Sequence, residues 1–410
     1  MRKNKVLNII SNNFPYGLGE QFFEAEVAKM AEFYDEVVLY PLKKAEGLRK
    51  LPTNVRVNDA LNKVTETVTK KQVFSCLWLI FKIVGFEFLR SNKRSFIFKK
   101  MKWWMTSIAY CKALSLAYEQ AVDNEKDNHH YSFWMNDGAL LLSILQSKKK
   151  IKGFDFRVNG YDIFEERHAG NYMPFRYFNY KHVNRVYVLS KVALEYLKAI
   201  DFRPNKLTYA PYGIYTQGLN QLTGSTEIHM VSCANMIPLK RIDKTIAALK
   251  LISDKTIQWT HFGEGYLRPE LEEQLKDMPS NITVDFRGHI PNAEVIDLYK
   301  NHAVNLFIHT SETEGLGMAI IEAQSFGIPA VVIGVGGVLD IVTNETGVVL
   351  QPNAEGAEIA KAIRTLIDGE MNTQAYREVI QKQCMRIFDA EKNYAVLYQV
   401  MSSESEKSKG

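Results

Sequence analysis

Short runs of apolar and β-branched residues alternate with stretches of helical periodicity along most of this 410-residue chain. A strand written as an unbroken apolar run is buried on both faces, and parallel neighbours need a crossover connection that is usually a helix. The alternation therefore confines the chain to the α/β class, parallel sheets with helices packed on both sides. In the first half the expected strands are Val6–Ile10, Glu36–Tyr40, Arg185–Leu189 and Lys206–Ala210. In the second they are His229–Cys233, Thr256–Phe262, Ile282–Phe286, Val304–His309 and Pro329–Ile333, with helices such as Ile242–Leu251, Leu267–Lys276 and Glu294–Tyr299. A single core rarely grows past about 300 residues, so the reading is two doubly wound domains.

Periodicity breaks between Tyr212 and Glu227, where Gly213, Gly218 and Thr223-Gly224-Ser225-Thr226 separate two strands. The expected division is a first domain at 1–212, a hinge at 213–227 and a second domain at 228–385. A helix at 386–401 is expected to cross back to the first domain, and the polar tail 402–410 to fray. Long helical stretches rich in Phe, Trp and Lys form an insertion at about 70–121. Hydrophobic residues at 46% and charged residues at 24% exclude a disordered chain. A net charge of +5 is too small and dispersed for a nucleic-acid binder, so no nucleic-acid partner is expected. Cys76, Cys111, Cys233 and Cys384 stand far apart with no C-x-x-C pair, which fits a reducing, cytoplasmic setting. Val6–Ile10 is too short, and too polar at Asn8, for a signal peptide. Val73–Leu89, the most apolar stretch, carries Lys82 and Glu87 and falls short of the roughly 20 residues of a membrane span.

After the strand ending at His309 comes Ser311-Glu312-Thr313-Glu314-Gly315-Leu316-Gly317-Met318, which runs into a helix containing Glu322. Strand, glycine loop and helix make an anion site: Gly315 and Gly317 let backbone approach a ligand, and the helix opens with free N–H groups and a partial positive charge. Glu314 and Glu322 can both reach a crevice at the carboxyl end of the sheet, where such sheets bind ligands, and paired carboxylates there suit hydroxyl recognition. The residues alone leave a second reading open, with Glu322 facing solvent and the glycines serving a tight turn. Ser325-Phe326-Gly327-Ile328-Pro329-Ala330-Val331-Val332-Ile333-Gly334-Val335-Gly336-Gly337 then reads as helix, glycine stop, buried strand and second glycine loop.

With Glu314-x7-Glu322, the stretch from Ser311 to Val342 resembles the signature of the retaining glycosyltransferase family 4, and weaker family features extend over nearly the whole chain. The resemblance implies the GT-B fold, two Rossmann-like doubly wound domains facing each other across a cleft. It implies that Glu322 holds the ribose hydroxyls of a nucleotide sugar, that Glu314 lies beside the donor sugar, and that the backbone of Gly315, Leu316, Gly317 and Met318 receives diphosphate and sugar. In Asn235-Met236-Ile237-Pro238-Leu239-Lys240-Arg241 the family's basic pair on the diphosphate is half present: Lys240 stands in place, but Asn235 replaces an Arg. Arg241 is a second candidate cation, although a Lys-Arg dipeptide is most often a solvated turn. The loops at Gly263 and Arg287 resemble the nucleotide-side loops, and Gly17 and Gly19 the glycine loop facing the diphosphate from the first domain. G-x-G-x-x-G is absent there, because position 22 is Phe, which disfavours a dehydrogenase. Arg157-Val158-Asn159-Gly160-Tyr161-Asp162 resembles the family's His-Gly-x-Asp segment with Asn159 at the His position. An amide can hydrogen-bond a sugar hydroxyl but cannot titrate. His168, nearby, reads as a surface histidine.

No D-x-D occurs, so a metal-independent hexosyl transfer is expected, with no cofactor, a nucleotide diphosphate-sugar as substrate, and Lys240 with helix N–H groups meeting the leaving-group charge. The catalytic candidates are Glu314, Lys240 and Asn159; the acceptor is a sugar or lipid-linked hydroxyl in bacterial polysaccharide or glycolipid synthesis. Two rival readings stand beside it: a non-catalytic GT-B scaffold or nucleotide-sugar-binding partner, favoured by Asn159 and Asn235, and an isomerase of nucleotide sugars. Residues 90–104 mix six basic residues with four aromatics including Trp103 and Trp104, which suits an anionic membrane surface at the inner face, or else a packed helix with solvated lysines.

Overall fold

The computed structural model describes residues 4–17, 19–200 and 203–407. Backbone contacts divide it into two compact units. Unit 1 takes in the chain up to Leu189, Leu194–Ala210 and the segment from Tyr394 on; unit 2 is Ser190–Ala193 and Pro211–Asn393.

Unit 1 is a seven-stranded parallel sheet of β1 (Lys5–Ser11), β2 (Glu36–Pro41), β3 (Val55–Val57), β4 (Asp127–Ser132), β5 (Asp155–Val158), β6 (Arg185–Val188) and β7 (Leu207–Tyr209), in the order β3-β2-β1-β4-β5-β6-β7. Its helices are α1 (Gln21–Phe33), α2 (Lys70–Phe74), α3 (Leu77–Arg90), α4 (Arg94–Lys99), α5 (Met101–Ala121), α6 (Asp137–Ser147), α7 (Arg176–His182) and α8 (Lys191–Ala199). Unit 2 is a six-stranded parallel sheet of β8 (Ile228–Cys233), β9 (Ile257–Phe262), β10 (Ile282–Gly288), β11 (Leu306–His309), β12 (Ala330–Ile333) and β13 (Gly347–Leu350), in the order β10-β9-β8-β11-β12-β13. It carries α9 (Ile242–Leu249), α10 (Arg268–Gln274), α11 (Asn292–Asn301), α12 (Met318–Ser325), α13 (Gly356–Ile367) and α14 (Gln374–Phe388); α15 (Ala390–Lys407) follows. Both sheets are the doubly wound type that the alternation predicts. Each strand order reverses at one point, between β1 and β4 in unit 1 and between β8 and β11 in unit 2, so the loops leaving those strands diverge and leave a crevice.

All nine expected strands are present, and four strands lie outside that expectation: β3, β4, β5 and the short apolar β13. β4, Asp-Asn-His-His-Tyr-Ser, is polar throughout yet central, pairing β1 on one side and β5 on the other. Its histidines are buried with partners: His130 Nδ1 lies 2.8 Å from the Tyr118 hydroxyl and His129 Nε2 lies 3.0 Å from Asp155. The segment 213–227, expected as a hinge, is tied to unit 2 by the buried Asn220, which donates to the carbonyls of Tyr299 and His302 and accepts from the Val304 amide. Helix α15 continues through residues 402–407, where a frayed tail is expected, because neither Gly nor Pro interrupts it; residues 408–410 lie outside the described residues. Trp104 is fully buried on α5, 4.4 Å from the Phe175 ring, so it belongs to a core and not to a surface, whereas Trp103 beside it is half exposed.

A buried charge pair fastens unit 1. Arg157 on β5 donates to Glu26 on α1 at 2.6 Å, both side chains without solvent exposure, and the Tyr398 hydroxyl on α15 donates to the other Glu26 oxygen. Tyr394, Leu397, Tyr398 and Met401 bury the same face of α15. Truncating one member of such a pair leaves the other charge buried without its counter-charge. Glu26→Gln is therefore expected to lower stability by about 3–5 kcal/mol, and Tyr398→Phe by about 1 kcal/mol. Urea unfolding of the two variants checks the order; equal midpoints would refute it.

Candidate active site

In unit 2 the loops that leave β8 and β11 flank the reversal of strand order. The β8 loop is shaped by backbone packing. Met236 is buried at its centre, and Gly263 and Gly265 press against it so closely that a Cβ at Gly263 would stand 1.9 Å from the Ala234 carbonyl oxygen, and one at Gly265 would stand 2.3 Å from that of Met236. Gly263, expected on the nucleotide side, is thus glycine because two chain segments meet there. The loop ends in a short turn, Pro238–Lys240, and Arg241 takes a left-handed conformation to enter α9.

The β11 loop is backed in the same way. Gly336 and Gly337 lie directly behind it: a Cβ at Gly336 would meet the Glu314 carbonyl oxygen at 2.0 Å, and one at Gly337 would meet that of Gly315 at 2.2 Å. The Gly337 amide donates to the Glu314 carbonyl at 3.1 Å. Gly317, at φ 102°, caps α12 in a conformation that a side chain would disfavour. The two glycine loops of the sequence are therefore one stacked assembly, the rear loop holding the front loop.

On this frame the Lys240 ammonium lies 2.6 Å from Glu314 Oε2, both side chains mostly buried, and His309 Nε2 stands 3.3 Å from the same oxygen. Burial would raise the Glu314 carboxyl, but the Lys240 charge and the His309 contact outweigh it and hold the group well below the ordinary carboxylate range. Arg241, the second candidate cation, is engaged elsewhere, at 2.7 Å from Glu312 and 3.0 Å from Asp243. Glu322 on α12 is half-buried and accepts from the Asn292 amide at 3.0 Å, so it does not face solvent freely. Burial pushes its carboxyl up to about 7. Cys233, at the end of β8, feels both Glu322 and Lys240, and its thiol is pushed up to about 12, chiefly by burial. Asn235 is exposed.

The structure thus brings together Lys240, Glu314 and the backbone of Gly315–Met318, with Glu322 on the following helix. Arg287 is not part of this group: it pairs with Asp285 and lines a separate cavity of about 720 Å³ with His229, Gln258 and Glu294. Gly17, Gly19 and Asn159 lie in unit 1. Gly17 has φ +65°, and Arg49 holds its carbonyl at 2.9 Å and that of Gly19 at 2.7 Å; Leu18 lies outside the described residues. The amides of Asn13 and Phe14 donate to Glu20 Oε2 at 2.8 and 2.7 Å, and that of Asn12 to Oε1 at 3.2 Å. Asn159 is buried, and its amide nitrogen reaches the Phe133 carbonyl at 3.5 Å while its backbone N–H donates to Asp162 at 3.2 Å. His168 is bound to the Tyr161 carbonyl. Sequence reasoning missed His309, Asn292, Glu20 and Arg49. Only His309 carried a signal, standing at the carboxyl end of a buried strand five residues before Glu314.

Residues 220–383 match the family model described as Glycosyl transferases group 1. A GDP-mannose-dependent alpha-(1-6)-phosphatidylinositol dimannoside mannosyltransferase of Mycobacterium tuberculosis is 30% identical over 145 residues, 35% of this chain and 36% of that protein. The chain spans about a third or less of the length of the curated relatives it matches. Among solved structures, Anabaena Alr3699/HepE in complex with UDP-glucose superposes with a TM-score of 0.66 at 15% identity, over 97% of this chain and 100% of that one. Sucrose-phosphate synthase (tll1590) from Thermosynechococcus elongatus gives 0.71 at 14% identity, over 97% and 98%. The sheets and these likenesses agree: the chain has the GT-B fold, and residues 220–383 match the glycosyl transferases group 1 family.

Proposed function

We propose that the chain is a retaining glycosyltransferase that moves a hexose from a nucleotide diphosphate donor to a hydroxyl of a sugar or lipid-linked acceptor. It would work in bacterial polysaccharide or glycolipid assembly on the cytoplasmic side. The Lys240–Glu314 pair, set at the glycine loop that opens α12, carries this reading. The donor class agrees with a relative named as GDP-mannose-dependent and with a structural neighbour that holds UDP-glucose.

In this reading the diphosphate lies against the N–H groups of Gly315–Met318 and the start of α12, where the helix carries partial positive charge. As the bond from the anomeric carbon to the diphosphate oxygen breaks, negative charge builds on the leaving oxygen, and the Lys240 ammonium stabilises it without a metal. Glu314, kept ionised by Lys240 and His309, faces the positive charge that builds on the sugar. Glu322 accepts from the ribose hydroxyls, and Asn159 hydrogen-bonds a hydroxyl of the transferred sugar.

Assay of a panel of nucleotide sugars for hydrolysis and transfer, with the anomeric configuration of the product read by NMR, tests the proposal. Transfer with inversion would refute retention; binding without turnover would favour a nucleotide-sugar-binding scaffold, the reading that Asn159 and Asn235 keep open.

Lys240→Ala is expected to reduce kcat/KM by a factor of about 100 or more. Near-native turnover would assign the leaving-group charge to another cation. Glu322→Ala is expected to weaken donor binding by about 1–3 kcal/mol in calorimetry, with the fold intact. Glu322 also sets a pH dependence. Its folded pKa lies above the unfolded value, so its contribution to stability is present at low pH and is lost as the pH rises through about 7. Donor hydroxyls need the ionised form, so donor affinity is expected to rise from about pH 6 to about pH 8 in the native protein. The Glu322→Gln variant should lack that rise. Asn159→Ala is expected to lower activity while the pH–rate profile keeps its shape, since an amide does not ionise. Loss of a limb of the profile would contradict its role.

A further inference from the structure

Helix α3 is apolar on two faces. Leu79, Ile80, Ile83 and Val84 are buried, and Glu87 turns inward to the Tyr172 hydroxyl and the Phe178 amide. The opposite side leaves Trp78 at 79%, Phe81 at 73% and Leu89 at 75% exposure, with Leu77 and Phe88 beside them and Phe74, at 69%, just before the helix. Steps of three and four residues put these side chains on one stripe, which runs past Gly85, where a Cβ would find open space. The Trp78 and Phe81 rings stack on each other in solvent at 6.4 Å. A contiguous exposed apolar face of this kind marks an interaction surface.

Cations rim the stripe. Lys82 is exposed on it, and the Arg94 guanidinium lies over the Phe88 ring at 5.5 Å. At the carboxyl end of α3, Lys181 lies 4.5 Å and Arg90 5.5 Å from the centre of the Phe86 ring. These two share a pocket of about 160 Å³ with Arg176, Arg203 and Tyr177, and no carboxylate lines it among the described residues. Arg176 is buried and paired with Glu165 at 2.7 Å, yet its Nε has no hydrogen-bond partner. Among the described residues no carboxylate lies within ion-pair distance of Arg90, Lys181 or Arg203. Burial first, and then the charges of Lys181, Lys82 and Lys206, push the neighbouring His182 imidazole down to about 4.

We infer that unit 1 docks on an anionic lipid bilayer through α3, the Phe74–Leu89 stripe entering the boundary between headgroups and acyl chains and the Arg90–Lys181–Arg203 pocket holding a lipid phosphate. The pairing of features selects the occupant. An apolar stripe alone would suit another protein surface, but a stripe that ends in a pocket lined by Arg90, Lys181 and Arg203 matches a molecule with a phosphate at one end and hydrocarbon at the other. The aromatic rings suit the interface, since Trp is apolar over most of its body and carries one polar N–H. The contact keeps Arg90 and Arg94 of the basic segment 90–104 expected from sequence and adds the α2–α3 stripe before it. It stands apart from the transfer reaction and from the residues assigned to it.

Co-sedimentation of the full chain with vesicles tests this without any activity measurement. Vesicles of phosphatidylcholine alone are compared with vesicles of phosphatidylcholine and phosphatidylglycerol in equal parts, at low and high salt. Binding is expected on the mixed vesicles, at least about tenfold stronger than on the neutral ones, and weakened by salt. The triple variant Arg90→Ser, Lys181→Ser, Arg203→Ser should lose about tenfold or more on the mixed vesicles. The double variant Trp78→Ser, Phe81→Ser should lose binding on both, and since these side chains are exposed its melting temperature should match that of the native chain. Trp78→Phe should keep binding but lose quenching of tryptophan fluorescence by brominated lipid. Equal recovery in the supernatant under every condition overturns the inference, as does undiminished binding by either multiple variant. A concentration-dependent dimer that the Trp78→Ser, Phe81→Ser variant abolishes, with no vesicle binding, would assign the stripe to a second copy instead.

Discussion

An ammonium and a carboxylate 2.6 Å apart, each mostly withdrawn from water, determine how the rest of unit 2 has to be built. Charges in that position are costly unless they are held close and in register, so the loops that carry Lys240 and Glu314 cannot be loose. The chain meets this need with backbone. Gly263 and Gly265 press on the β8 loop and Gly336 and Gly337 on the β11 loop, at separations that only hydrogen at Cα allows. Parallel strands set the loops at the same end of the sheet, and the reversal of strand order between β8 and β11 leaves the crevice between them. His309, at the last position of β11, adds a third group to the same oxygen.

Unit 1 solves a related problem in its interior. Its central strand β4 is written in polar residues, which an apolar-run criterion passes over, and it is a core strand in which both histidines meet partners on other elements. Asp155 serves His129, and Tyr118 serves His130. Strand β5 is only four residues long and contains Arg157, whose burial is tolerable because Glu26 comes from α1. Neither strand has a local signature, since the compensation is tertiary. The strands that could be read, β1, β2 and β6 to β12, are those that carry a signal in their own apolar and β-branched side chains.

The same distinction separates what could be read at the candidate site. Gly315, Gly317, Glu314 and Glu322 are legible because a strand, a glycine loop and a helix in succession have local meaning. Lys240 depends on a partner 74 residues away, and Arg241, its neighbour in sequence, is drawn off by Glu312 and Asp243. No local pattern distinguishes the two basic residues. Arg287 stands near the end of β10, just before Gly288, yet its side chain pairs with Asp285 two residues earlier on the same strand and opens on a different cavity. The polar end of a strand names a candidate; the fold decides which way it points.

The rear glycine loop has a consequence for how this domain can diversify. Gly336 and Gly337 fill the space behind Glu314 and Gly315 with main chain, so the front loop has nowhere to retreat when a larger group is presented to it. Adjustment must then come from side chains of the loop and helix start, of which Leu316 is buried and Met318 is partly open. Met is the more pliant of the two, being unbranched with three rotatable bonds. The wall behind the loop behaves as a fixed datum, so what can vary beside it is the shape of side chains and not the course of the main chain.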